Sequence, residues 1–124
     1  NFHWNVKGPQ FNSLHLMFME QYTEQWNALD EIAERIRALG HLAPASPKAL
    51  VDTSGEKDKK ASSTAVQMVT MLKERHEALA RLCHEVTELC EQDEVNDPVT
   101  ADLCNARSAV HEKAAWMLRA MSAS

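Results

Sequence analysis

A chain of 124 residues has room for one buried core but not for two. Three glycines and four prolines are few for a turn-rich all-β protein, whereas Ala, Leu, Met, Glu and Lys are plentiful, so the composition favours helices. The formal charge of −5 argues against a surface built mainly to hold nucleic acid, and it fits an acidic surface or lumen that attracts cations.

Residues 1–7 read as the end of an element that Gly8-Pro9 breaks, with Gly suited to a C-cap and Pro to the first turn of the next helix. Over residues 9–39, Phe11, Leu14, Phe18, Tyr22, Leu29, Ile32, Ile36 and Leu39 recur at intervals of three or four, with one gap. This predicts a long amphipathic helix ended by Gly40. Residues 41–60 read as a connection with one helical turn near residues 47–51. Ser62 or Ser63 is suited to cap a further helix whose seam is Ala65, Val69, Leu72, His76, Leu79, Cys83, Val86 and Cys90. After an acidic connection, residues 91–97, Asp97-Pro98 supplies an N-cap and an N1 proline. The last helix follows Val99, Leu103, Ala106, Val110, Ala114, Met117 and Met121. Three rods with wide apolar faces want a fourth, so the expectation is an all-α four-helix bundle whose first helix lies largely before Asn1; a complete three-helix bundle is the alternative.

Cys83 and Cys90 are about 10 Å apart along one helix, too far for a disulfide, and Cys104 lies in another. Free thiols in a reducing cytosol account for all three better than an oxidised framework does. No apolar run approaches a membrane span, and no signal peptide is visible.

Asp30 and Glu34 are four apart and share a helix face. Two adjacent carboxylates repel unless a cation sits between them. A solvated face with Arg35 and Arg37 nearby is the bland alternative. His15 points within about 60° of Asp30 on the helical wheel but lies about 22 Å from it along the axis. The two cannot bind one metal ion within one subunit. An antiparallel pairing of this helix with its own copy, about a two-fold axis, would bring His15 of one chain to Asp30 and Glu34 of the other, and His3 could join from before the Gly-Pro turn. A mixture of His and carboxylate suits iron or zinc.

The run His3-Trp4-Asn5-Val6-Lys7-Gly8-Pro9, with Phe11, Leu14-His15 and Asp30-Glu31-Ile32-Ala33-Glu34-Arg35, closely resembles the signature of the Dps family of mini-ferritins. Thr100-Ala101-Asp102-Leu103, His111-Glu112-Lys113 and Ala115-Trp116-Met117-Leu118-Arg119 are similar to that family's last helix. The resemblance implies a ferritin-like four-helix bundle with a short helix in the middle connection, near residues 47–51. It implies a hollow twelve-subunit shell in the cytoplasm that oxidises Fe(II) with hydrogen peroxide or oxygen and stores ferric mineral.

Carried over, His3 and His15 match the histidines of one subunit, and Asp30 and Glu34 match the carboxylates of its partner, with Glu34 as the bridge between two irons. Trp4 matches a tryptophan beside the centre, an electron donor or a packing residue. Asp93, Asp97 and Asp102, with Glu94, match an acidic pore where Fe(II) enters; helix capping is the plainer role, and Pro98 replaces an acid found in some members. One departure stands out. The position four after His15 usually carries Asp or Glu, and here it is Met19, a poor ligand for ferric iron. Glu20 is adjacent but about 100° around the helix. The second iron position is expected to be weak, with zinc a substitute ion. His76, His84 and His111 read as core or surface histidines, and the six methionines as core fillers. A DNA-coating function is the rival reading, but DNA binding in the family commonly uses basic tails, and Ala120-Met121-Ser122-Ala123-Ser124 has no basic residue. A zinc-sequestering or purely structural shell is a third.

Overall fold

Helix periodicity governs what forms. In the computed structural model, which describes residues 1–55 and 63–122, the elements are α1 (Phe2–Asn5), α2 (Phe11–Ala38), α3 (Pro47–Ser54), α4 (Ala65–Cys90) and α5 (Pro98–Ser122), with no strand among the described residues. The protein is all-α. It divides into two compact units, Asn1–Ser63 and Thr64–Ser124.

In the first unit, α1 ends as Val6 turns extended, at φ −64° and ψ 142°, and Val6 is buried. Gly8 sits at φ +119°, a conformation that L side chains rarely adopt, and it reverses the chain. Helix α2 therefore starts at Phe11, two residues later than its period suggests, because Pro9 is used in the turn. Leu14 and Phe18, one turn apart, are buried, and Phe2 of α1 lies against Phe18 with ring centroids 6.3 Å apart. Each such side chain contributes about 1.5–3 kcal/mol by leaving water.

The far end of α2 closes as expected at Gly40. Its N–H donates to the Arg37 carbonyl and the His41 N–H to the Ile36 carbonyl, a Schellman pair that needs the positive φ of +93°. The predicted middle turn is a two-turn helix, α3, capped by the Ser46 hydroxyl accepting from the Ala49 N–H and ended at Gly55 in the left-handed region.

The second unit is an antiparallel hairpin of α4 and α5. Its cap is Thr64 rather than Ser63, while Ser62 lies outside the described residues. Thr64 accepts from the Gln67 N–H, and the Gln67 side chain accepts from the Thr64 N–H. That reciprocal box satisfies two orphan donors at once, which outweighs a lone serine. Asp97 caps α5 as expected, accepting from the Thr100 N–H at 3.0 Å and from its hydroxyl.

The predicted α4 seam is half right. Val69, His76 and Cys90 are buried, but the second buried row is Ala80 and Thr87 rather than Leu72, Leu79 and Val86. On α5 the expected line is displaced. Val99 is exposed, whereas Ala101, Ser108 and Ala115, spaced by seven, are buried with His111 and Leu118. Small side chains let the two helices approach closely, and apolarity alone did not single them out.

Candidate functional site

The α1–α2 turn places His3 directly over His15. The rings stack with centroids 3.9 Å apart and planes 12° from parallel. His3 Nδ1 lies 2.7 Å from the His15 carbonyl oxygen, and His15 Nδ1 lies 2.6 Å from the His3 carbonyl oxygen. A carbonyl can only accept, so both Nδ1 atoms carry the proton and donate. Each neutral ring is left with its lone pair on Nε2. This is how metal-binding histidines are held, with one nitrogen anchored to the backbone and the other fixed as the ligand. Phe11 stacks on His15 at 5.0 Å, and Tyr22 meets the edge of His3 at 5.4 Å.

Toward the other end of α2, Asp30 and Glu34 are exposed and one turn apart. The Glu34 carboxyl is raised above its ordinary range, first by its hydrogen bond to Asp30 and then by the Asp30 charge. One proton is thus shared by a pair that repels when fully ionised. Among the described residues of one chain, no three His, Cys, Asp or Glu side chains are placed to hold a metal ion. Two imidazoles come together, two carboxylates come together, and about 22 Å of helix separates the pairs.

Between the pairs runs a feature that the sequence reading passed over. Met19, Tyr22, Trp26 and Leu29 are all exposed, and with His15 they lie within about 80° of one another around α2. The signal was present in the three-and-four spacing, but it was read as core. Trp4 is likewise 79% exposed, so it is not a packing residue within the chain. Glu20 is exposed beside Met19. Of the acidic residues near α5, Asp97 is occupied as a cap, and Asp93 and Asp102 are exposed.

The three other histidines fit the core-or-surface reading. His76 and His111 are buried and meet Nδ1 to Nδ1 at 3.0 Å, with Arg107 3.1 Å from His111 Nε2. Arginine can only donate, so His111 carries its proton on Nδ1 and passes it toward His76. Arg107, buried at a seam position, was invisible to a reading by apolarity. His84 pairs with Glu112 at 3.0 Å on the surface. No disulfide forms among the described cysteines. No helix is long and apolar enough to cross a membrane among the described residues.

The chain matches the ferritin-like domain family over residues 1–123. It is 39% identical over 120 residues to DNA protection during starvation protein 2 of Bacillus anthracis, spanning 97% of this chain and 81% of the relative. The chain belongs to the Dps family of ferritin-like proteins. Dps of Staphylococcus aureus superposes with a TM-score of 0.93 at 31% identity, covering 100% of this chain and 82% of that one. Dps of Listeria innocua, in a structure soaked with zinc, superposes with a TM-score of 0.88 at 30% identity, covering 97% and 80%. The ferritin-like Dps fold expected from the motifs at both ends of the chain is borne out.

Proposed function

We propose that this chain is a subunit of an iron-storing, stress-protective shell that oxidises Fe(II) at centres shared by two subunits. The observation that carries this reading is the split donor set: two imidazoles preset to ligate through Nε2 at one end of α2, and two carboxylates toward the other. Antiparallel pairing of α2 with its copy brings His3 and His15 of one subunit to Asp30 and Glu34 of the partner subunit. The exposed Met19–Tyr22–Trp26–Leu29 stripe offers apolar surface for that pairing.

The reaction balances simply. Two Fe(II) each give up one electron, hydrogen peroxide takes both with two protons, its O–O bond breaks, and two waters leave. Oxygen is the alternative oxidant. Neutral imidazoles and anionic carboxylates together suit iron, and also zinc. His3 with the partner's Asp30 and Glu34 holds the first iron; His15 with a share of Glu34 holds the second, where Met19 withholds the hard oxygen. Trp4, exposed beside the centre, is a one-electron donor that keeps radicals from escaping. Ferric iron then hydrolyses on an acidic lumen. Asp93, Asp97 and Asp102, repeated about a three-fold axis of a twelve-subunit shell, draw Fe(II) inward. The setting is the bacterial cytoplasm.

His3→Ala and Asp30→Ala should each abolish most iron oxidation while the assembly keeps its size by light scattering. Full oxidation by either variant would contradict the reading. The relatives' names speak of DNA protection, and a salt-dependent gel shift tests DNA binding by this chain separately.

A further inference from the structure

Tyr22 is the one tyrosine of these 124 residues. It is more than half exposed, and its ring meets the edge of His3 at 5.4 Å. It also has a distinctive place along α2. It lies seven residues after His15, about 10 Å along the axis and only about 20° around it. It lies eight residues before Asp30, about 12 Å further on. If α2 pairs antiparallel with its copy so that His15 meets Asp30 of the partner subunit, the two-fold axis crosses the helix midway between them, between positions 22 and 23. Each Tyr22 then touches a ligand of its own centre and sits beside the partner's Tyr22 at the axis.

We propose that Tyr22 is the reducing side chain that supplies the second electron when only one iron is bound at a centre. This rests on the shared-site reading above. Met19 leaves one of the two iron positions without its anionic oxygen, so a single tightly held Fe(II) meets an oxidant that needs two electrons. Fe(II) gives one electron and the Tyr22 phenol gives one electron and one proton. With one further proton from solvent, peroxide becomes two waters, leaving Fe(III) and a tyrosyl radical. The next Fe(II) to arrive returns an electron to the radical, which regains its proton from solvent. The net reaction is again two Fe(II) per peroxide. When no second Fe(II) arrives, the two radicals facing each other across the axis couple through a ring carbon–carbon bond, and two ring hydrogens leave as protons once the phenols re-form.

The test is to load the whole native assembly anaerobically with one Fe(II) per subunit and add one equivalent of hydrogen peroxide. One portion is frozen for electron paramagnetic resonance, and another is run on a denaturing gel and digested for mass spectrometry. Native protein should give a tyrosyl signal and a covalent dimer joined Tyr22 to Tyr22. Supplying a second Fe(II) per subunit should suppress both. Tyr22→Phe keeps the ring and its contact with His3, so it should assemble and bind the first iron normally but lose both products. Asp30→Ala under the same conditions should lose them too.

If native protein oxidises iron, Asp30→Ala does not, and no Tyr22 radical or cross-link forms, the tyrosine has no such role and the shared site stands. An equal signal in Tyr22→Phe, arising from tryptophan, overturns the proposal. An equal cross-link in Asp30→Ala assigns it to stray radicals and also overturns it. If Asp30→Ala oxidises iron at the native rate, the shared-site reading itself fails.

Discussion

Four residues after His15, α2 carries the thioether of Met19, 39% exposed, where relatives of this kind usually carry a carboxylate. Sulfur is soft and neutral, so it gives a ferric ion neither charge nor a matched donor. Met19→Asp should tighten the second Fe(II) and speed oxidation. Anaerobic titration calorimetry should show one tight and one weak ion per centre before the change and two tight ions after it. Two equally tight ions in the unmodified protein would mean that Glu20 or water already fills the role. The thiols are a second residue-scale case. Burial pushes both Cys83 and Cys104 above the usual thiol value of 9.0, in Cys83 against the pull of Arg107 and Ser108. A raised thiol holds its proton longer in the folded state than in the unfolded chain. Neither state ionises at neutral pH, and folding loses stability as pH rises past about 9. Less thiolate at neutral pH also means slower attack on peroxide, which suits a protein that consumes it. Alkylation by iodoacetamide at pH 8 should be slow in the native assembly and fast after unfolding; equal rates would show exposed, ordinary thiols.

At the scale of elements, the ends of helices were the most legible part of the chain, because caps are local chemistry. Gly40, the Asp97-Pro98 start and the short middle helix all stand where their residue types place them. The α1–α2 turn was legible as a break but not in its register, since whether Pro9 opens a helix or serves the turn depends on Gly8 adopting φ +119°. Seams were harder. On α5 the buried face is made of Ala101, Ser108 and Ala115 with a buried arginine and histidine, which no ranking by apolarity selects. Gly40 gives a clean test of the cap. A Cβ built there meets nothing within 4 Å, so the cost of Gly40→Ala is backbone strain alone at φ +93°. It should destabilise by about 1 kcal/mol, and Gly40→Asn by less, read from denaturant midpoints. No loss in Gly40→Ala would mean that the helix ends without needing the left-handed residue.

At the scale of the whole molecule, the candidate site was legible only in halves. Sequence spacing alone separates His15 from Asp30 by about 22 Å, and the folded chain leaves them apart. What the sequence could not supply was the tautomer lock between His3 and His15, which depends on a turn bringing two backbone carbonyls onto two rings. Nor did it mark Met19, Tyr22, Trp26 and Leu29 as surface, since apolar residues at helical spacing read as core until a fold leaves them uncovered. The central claim is that each centre takes its histidines from one subunit and its carboxylates from another. Co-assembling His3→Ala subunits with Asp30→Ala subunits tests it most directly, because each variant alone should be inactive. In a mixed pair, one centre joins both damaged halves and the other joins both intact ones. Random mixing should therefore restore about a quarter of the native oxidation rate per subunit. A mixture as inactive as either variant by itself would place all the ligands within one chain and contradict the account.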